Sequence, residues 1–571
     1  MFASALIAAL SLSAPAATAP SPYLDAVETA LSAYTPGRIS NYVARVEREG
    51  VTEHGFPRFA ANLATVVARG RAPERKDLLR KLMDLCAREM PICLKRGNKS
   101  AGNDFSVREI ACALVDLEKA RVFPKDVTDA WRAAFAAMKP AETYTCQPKV
   151  GDKLARNWCV FGAASEQARI WAGLGGDPEY VERYATDQLR FFDANGMYKD
   201  PHQPMVYDQV TRLQYAMILH YGYDGPSRAK IEALMLKSAE PTLAALSVTG
   251  EIPYGGRSNQ FLHNETCYAT LCEWYAAWFA RRGDRQMAGR FRAAAARAMD
   301  SFRRWTAERP IRHVKNRYPT STKYGCETDA YFDKNMVTAG SWACFAERFV
   351  DRAVSPAAEP EADVTFVTSD DFHRVFMNVG DYTAELDWNA QTGYDANGLG
   401  RLVRRGAPSA LCLSTPYPVE AHYTMDVTND MPLAIAPLGW KSFKVTKAEK
   451  GFAALTDGAS TWTCRLSASG LEMTLAGDGP QTLTLPAFDF DGERKTAIAC
   501  DGRSLTVTFR GWTCRYATDG VLVGTGKVYG NRNGHARRFD ARGDGQVSVR
   551  IALEHIQGDS GNFVVLSRCW G

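Results

Sequence analysis

The sequence predicts a multidomain chain, helical first and β afterwards: an N-terminal (α/α)6 toroid followed by an antiparallel β-sandwich. Three observations carry this. Apolar residues recur with a helical period from about residue 22 to 352. The links between helical segments alternate between short and long. At 353–363 (AVSPAAEPEAD) the composition turns Pro/Ala/Glu-rich, as in a linker, and beyond it the side chains alternate with period two. A chain of 571 residues exceeds one ordinary core, which suits two large domains.

The elements follow in order. Residues 1–19 read as an export signal, with an apolar run at 6–12 (LIAALSL) and then Ala17-Thr18-Ala19. The expectation is an exported protein, periplasmic or secreted. No later stretch reaches about 18 uninterrupted apolar residues, so no membrane span is predicted. Residues 20–352 hold twelve expected helices, near 22–34, 57–70, 74–88, 106–120, 124–138, 157–173, 177–192, 207–221, 227–247, 262–282, 284–307 and 334–351. Leu24, Val27 and Leu31 share a helix face, as do Val127, Trp131 and Phe135. Ser106-Val107-Arg108-Glu109 has the form of a capping box, and Asp177-Pro178 that of an N-cap followed by an N1 proline. Short links follow the fourth, sixth, eighth and tenth helices, as between Arg282 and Asp284. Long polar loops precede the even-numbered ones. Six antiparallel hairpins in a ring would put every long loop on one face, with the even-numbered helices inside.

Residues 364–571 alternate at 364–368, 374–379, 471–475, 483–485 and 547–551. Asp478-Gly479, Asp501-Gly502 and Asn533-Gly534 read as turns between strands.

A net charge of +5, from 69 basic and 64 acidic residues, is too mild to predict a nucleic-acid partner. Fourteen cysteines include no C-x-x-C, and no His-x-x-x-His occurs. Cys112, Cys267 and Cys272 fall on apolar helix faces and read as buried thiols, and disulfide connectivity stays open. His373 and His422 could join carboxylates in a metal site, but no spacing supports one. The chain is therefore expected to need no cofactor, with a structural metal left open. Gly255-Gly256 lacks the lysine of a phosphate loop.

The long loops collect polar residues. They carry Asn103-Asp104, Asn157-Trp158, Asp200-Pro201-His202 with Tyr207-Asp208, and Tyr254 to Gln260 (YGGRSNQ) with His263-Asn264-Glu265. The last carries Arg317-Tyr318, Lys323-Tyr324, Glu327 and Lys334-Asn335. Helix capping accounts for some of the Asn and Asp. Tyr215, Tyr275, His220 and His313 read as structural. Five loops converging on one face with Tyr, His, amide and Arg suit elimination at a uronic acid. Amides or cations neutralise the carboxylate and a Tyr/His pair moves protons.

In architecture the chain resembles the toroid polysaccharide lyases, including the heparinase II/III, alginate and hyaluronate lyase groups. At motif level the resemblance rests on Asn157-Trp158, Tyr207-Asp208 and 255–265, and the last of these is similar to the L-rhamnose-α-1,4-D-glucuronate lyases. The resemblance implies a lyase that cleaves an acidic polysaccharide or oligosaccharide by β-elimination. Asn157 would neutralise the carboxylate, His263 or His202 would be the base, and Tyr207 or Tyr254 the acid. Arg257 would hold the acidic sugar and Trp158 would stack on a ring. Asn103, Asn259, Gln260, Asn264, Glu265, Asp208, Tyr318 and Tyr324 would line the substrate.

Two other readings stand beside it. One is an inverting glycoside hydrolase using Asp208 and Glu265, with Asp104 and Glu327 in reserve; its carboxylates would sit roughly 6.5–9.5 Å apart. The other is a non-catalytic carbohydrate-binding protein.

Overall fold

The computed structural model describes residues 20–98, 102–144, 156–201, 205–256, 258–319, 329–358, 363–390, 395–413, 433–440, 442–531 and 533–556. The expected export signal lies outside them, as do His202, Arg257, Tyr324, Glu327 and His422.

The helices are α1 (Pro22–Ser32), α2 (Pro36–Glu49), α3 (Gly55–Ala68), α4 (Lys76–Glu89), α5 (Val107–Lys119), α6 (Lys125–Ala136), α7 (Pro140–Thr143), α8 (Arg156–Trp171), α9 (Pro178–Gln188), α10 (Met205–His220), α11 (Arg228–Lys237), α12 (Ala239–Ala245), α13 (His263–Arg281), α14 (Arg285–Ala307) and α15 (Asp329–Phe349). Six of them pack in a closed circuit: α3 on α5, α5 on α8, α8 on α10, α10 on α13, α13 on α15, and α15 back on α3. Around it α4, α6, α9, α11 and α14 lie against α3, α5, α8, α10 and α13, and α1 lies against α15.

Sequence explains which helix goes where. In α4 only one stripe is buried, Leu79, Leu82, Met83, Leu85, Cys86 and Glu89, as expected of a helix with water on its other side. In α3 every residue from Gly55 to Val67 is buried, and in α13 every residue from Asn264 to Phe279. A helix enclosed on all sides must be apolar or must satisfy its polar groups internally.

Three local expectations are corrected. Helix α2 was not anticipated, although Thr35 caps the Arg38 N–H and Pro36 opens the helix; it buries only Tyr42, Val43 and Val46. The helix expected over 227–247 is two, α11 and α12, meeting at Ser238, whose hydroxyl donates to the carbonyls of Leu234 and Met235. The capping box at Ser106 does not form, because Glu109 pairs with Arg58 and Arg108 instead of turning back. Asp177 does cap α9, accepting from the Tyr180 N–H at 3.0 Å.

The strands begin at Val364. β1 (Val364–Val367), β2 (Arg374–Val379), β3 (Tyr382–Asp387) and β4 (Gly398–Arg404) form an antiparallel sheet in sequence order. A second sheet holds β5 (Ala436–Pro437), β6 (Lys444–Glu449), β7 (Phe452–Thr456), β8 (Ser460–Ser467), β9 (Gly470–Phe490), β10 (Ala497–Cys500), β11 (Ser504–Phe509), β12 (Trp512–Thr518), β13 (Val521–Asn531) and β14 (Gly534–His555). Its main path runs β10-β11-β12-β14-β9-β8-β7-β6, with β13 on β14 and β5 on β9. One core joins the two sheets, with Val375, Met377 and Tyr382 beside Trp462, Leu475 and Val549. Asp478-Gly479 is not a turn. It lies inside the 21-residue β9, where the register on β14 shifts between Asp544 and Gln546.

The first sheet sits on the helical region. Asn378 donates to the carbonyl of Ala244 at 3.0 Å, and Thr383 accepts from the Val248 N–H at 2.9 Å. Met197, Met205 and Ala245 share an apolar cluster with Phe372 and Phe376.

Candidate active site at the mouth of the helical circuit

The starts of the enclosed helices meet one another. His54, just before α3, lies 5.6 Å from the Phe105 ring before α5, and Phe105 lies 5.5 Å edge-on to Trp158 in the first turn of α8. Tyr207 in the first turn of α10 shares a 2.9 Å hydrogen bond with Ser258, in the loop before α13. The Ser258 carbonyl accepts from Asn264 at 3.0 Å, which places His263 and Tyr207 in one group. His263 stacks on Phe261, and His313 stacks on the same ring at 5.9 Å. The loop before α13 is strained as it turns: Ser258 and Gln260 both have positive φ.

The rim of this mouth carries aromatic rings. Trp158 is 44% exposed, the most open aromatic of the group. Its supported, exposed face suits stacking against a sugar ring. Tyr207 and His263 are half-buried. Burial, then Arg58 and His313, push the His263 imidazole down to about 3, so it is neutral at ordinary pH. Its buried Nδ1 has no hydrogen-bond partner. Burial and Arg58 likewise hold His54 well below its usual value, and Arg58 donates to His54 Nδ1 at 3.0 Å.

Beneath the rim lies a charged layer. Arg58 donates to Glu109 (3.0 Å), Thr338 (2.7 Å) and the Phe105 carbonyl (2.7 Å), tying α3 to α5 and α15. Glu265 accepts from Lys315 Nζ at 2.5 Å through one oxygen, and its other oxygen, buried, has no partner. Burial pushes the Glu265 carboxyl above the ordinary range, against the opposing pull of Lys315. Burial also acts on Glu251, but Lys315 and Arg401 outweigh it and hold that carboxyl low.

The remaining expected residues fall in several places. Asp208 is fully buried and forked by Arg212 at 2.8 and 2.6 Å, and it also accepts from the Tyr198 N–H at 2.7 Å. Asn103 is fully buried and donates to the Met90 carbonyl and Cys93 Sγ, behind the mouth. The Asn157 N–H donates to Asp200 at 3.3 Å. Asn259 donates back to the Gly256 carbonyl at 2.5 Å, and the Gln260 carbonyl accepts from the Lys315 N–H. The Tyr254 ring is buried, and its backbone is bonded to Glu385 and Arg374 of the β region. Tyr318 is buried against Phe490 and His535. His313, read as structural, is buried against Phe261 and Phe332. His373 pairs with Asp387 at 2.5 Å. Among the described residues no group of three or more His, Cys, Asp or Glu is placed to hold a metal.

Sequence reasoning missed His54, Arg58, Glu109, Ser258, Lys315, Glu251 and the β-region residues. His54 and Arg58 stand four apart at a helix start, a signal that could have been read. Nothing in sequence links Lys315 to Glu265, since 50 residues separate them.

No family model matches the chain, and no curated protein matches it in sequence. Among solved structures it is similar to a GH127 β-arabinofuranosidase, at 10% identity and a TM-score of 0.32, over 94% of this chain and 81% of that one. It is similar also to a GH127 β-L-arabinofuranosidase from Geobacillus stearothermophilus T6, at 12% identity and a TM-score of 0.32, over 93% of this chain and 80% of that one. Both are glycoside hydrolases. The expectation of a polysaccharide lyase acting by β-elimination is corrected on this finding, for the activity and for the enzyme class alike. What stands is the layout, a helical region followed by antiparallel sheets. No described helix is long and apolar enough to cross a membrane.

Proposed function

We propose that the chain is a glycoside hydrolase whose active site is the mouth of the helical circuit. Its finer architecture is an (α/α)6 toroid over 20–352, a linker at 353–363 and a β-sandwich over 364–571, exported by the signal at 1–19. Glu265 carries the reading. Glycosidic cleavage needs a carboxylic acid that is still protonated when the substrate binds, so that it can protonate the departing oxygen. Glu265 is the candidate: burial pushes its carboxyl upward, toward the proton-bearing form, against the pull of Lys315, and one of its oxygens has no partner. Trp158 supplies a stacking face, and Tyr207, Ser258 and neutral His263 supply hydrogen bonds for sugar hydroxyls. Asp208, closed by Arg212, serves to hold α10 rather than to activate water.

The test is a glycan screen read two ways, by new reducing ends and by absorbance of a new carbon–carbon double bond. Reducing ends without the double bond are expected. Product carrying the double bond would overturn the reading.

A further inference from the structure

We infer that two residues of the β region, Glu385 on β3 and Arg374 on β2, are positioning residues of this site. They grip the backbone of the loop that enters α13. Both Glu385 oxygens accept from the Tyr254 N–H, at 3.1 and 3.0 Å. Arg374 Nη1 donates to the Tyr254 carbonyl at 2.6 Å and to Glu385 at 2.6 Å. A single peptide segment is thus held at both its polar ends by one buried ion pair, with side chains 4% and 0% exposed. A charge-assisted bond in such surroundings is stronger and better directed than a neutral one.

The next residue shows how close the fit is. Gly255 has φ +82°, and a Cβ there would fall 2.0 Å from Asp395, so only glycine lets the loop lie on this carboxyl. Asp395 is itself bonded to Arg374. Three residues on stands Ser258, the partner of Tyr207 and of Asn264. The same charges run on toward the proposed acid. Glu385 pairs with Arg401 at 3.3 Å, Arg401 pairs with Glu251 at 3.6 Å, and Lys315, which favours the charged form of Glu251, holds Glu265. The loop is held from the helical region at Ser258 and from the first sheet at Tyr254.

The inference rests on the hydrolase reading for its activity arm only. The test compares the full-length protein with Glu385→Gln and Arg374→Lys by amide hydrogen exchange and by turnover of the glycan found in the screen. Thr383→Val, at the same interface but on the Val248 backbone, is the control. Exchange over 254–264 is expected to quicken tenfold or more in both variants and not in the control, with α3 and α5 unchanged. Turnover should fall tenfold or more in kcat with a smaller change in KM. Should Glu385→Gln fail to fold, Arg374→Lys, which keeps the charge and loses the fork, decides alone. Wild-type exchange at 254–264 in a folded variant overturns the inference, as does a loosened loop with unchanged kcat. If no glycan is turned over, the hydrolase reading fails while the exchange result still decides the grip.

Discussion

Helices α13 and α14 are neighbours in sequence, joined by a tight link, yet they live in different media. α14 buries a stripe of Ala288, Phe291, Ala295, Ala298 and Phe302 and turns arginines outward. α13 is enclosed on every side and still carries Asn264, Glu265, Thr266, Thr270 and Glu273 inside. A polar group on α14 costs little because water satisfies it. On α13 each must find a protein partner or stay unpaired. Thr270 donates to the Trp342 carbonyl at 2.7 Å, and Glu273 pairs with Arg292 at 2.5 Å. Asn264, Glu265 and Glu273 each keep one buried oxygen without a partner, and of the two carboxylates Glu265 is the one at the start of the helix, two residues from His263. The contrast teaches where to look for chemistry: an enclosed polar group left partly unsatisfied at a helix start.

Substitutions can sharpen or break that contrast. The largest effect is expected from Glu265→Gln. It keeps the shape and removes the group that can carry and release a proton, and kcat should fall on the order of 10²–10⁴-fold. Lys315 retains Glu251 as a counter-charge, so circular dichroism should show a folded protein. Near-normal turnover would remove Glu265 from the mechanism.

Next comes Asp208→Asn, on an enclosed helix but away from the open group. It leaves the buried Arg212 without its charge partner, and denaturant unfolding should show a loss of about 3–5 kcal/mol. A loss below about 1 kcal/mol would mean that enclosure does not raise the stakes.

A smaller, pH-dependent effect is expected at Asp395. Burial pushes its carboxyl up to about 8, against the pull of Arg374. The native state therefore holds this proton where the unfolded chain has released it near its ordinary value of 3.8. Stability must then fall as pH rises from about 4 through about 8. Asp395→Asn cannot titrate, so its melting temperature relative to wild type should climb between pH 5 and pH 9. Parallel curves would refute the shift.

The smallest effect belongs to the outer surface. Arg80 and Asp84 pair at 2.9 Å on α4 with both side chains well exposed. Arg80→Ala should cost only about 0.3–0.5 kcal/mol by the same denaturant measurement, and added salt should erase most of it.

Sequence by itself determined most of the helices, because hydrophobic period and the alternation of short and long links are local properties. It also put Asn157, Trp158, Tyr207, His263 and Glu265 at helix starts, since loop and helix boundaries can be read from caps and composition. It did not determine which of them would be open. Tyr207 and Asp208 are adjacent, but the helix turns one toward Ser258 at the mouth and the other into the fork of Arg212. Nor could it show that Arg374 and Glu385, more than 100 residues away, hold Tyr254, or that Lys315 reaches Glu265. Those pairings depend on closing a circuit of helices and laying a sheet across it. Burial then sets the charge states, since desolvation and long-range partners act only once the chain has folded.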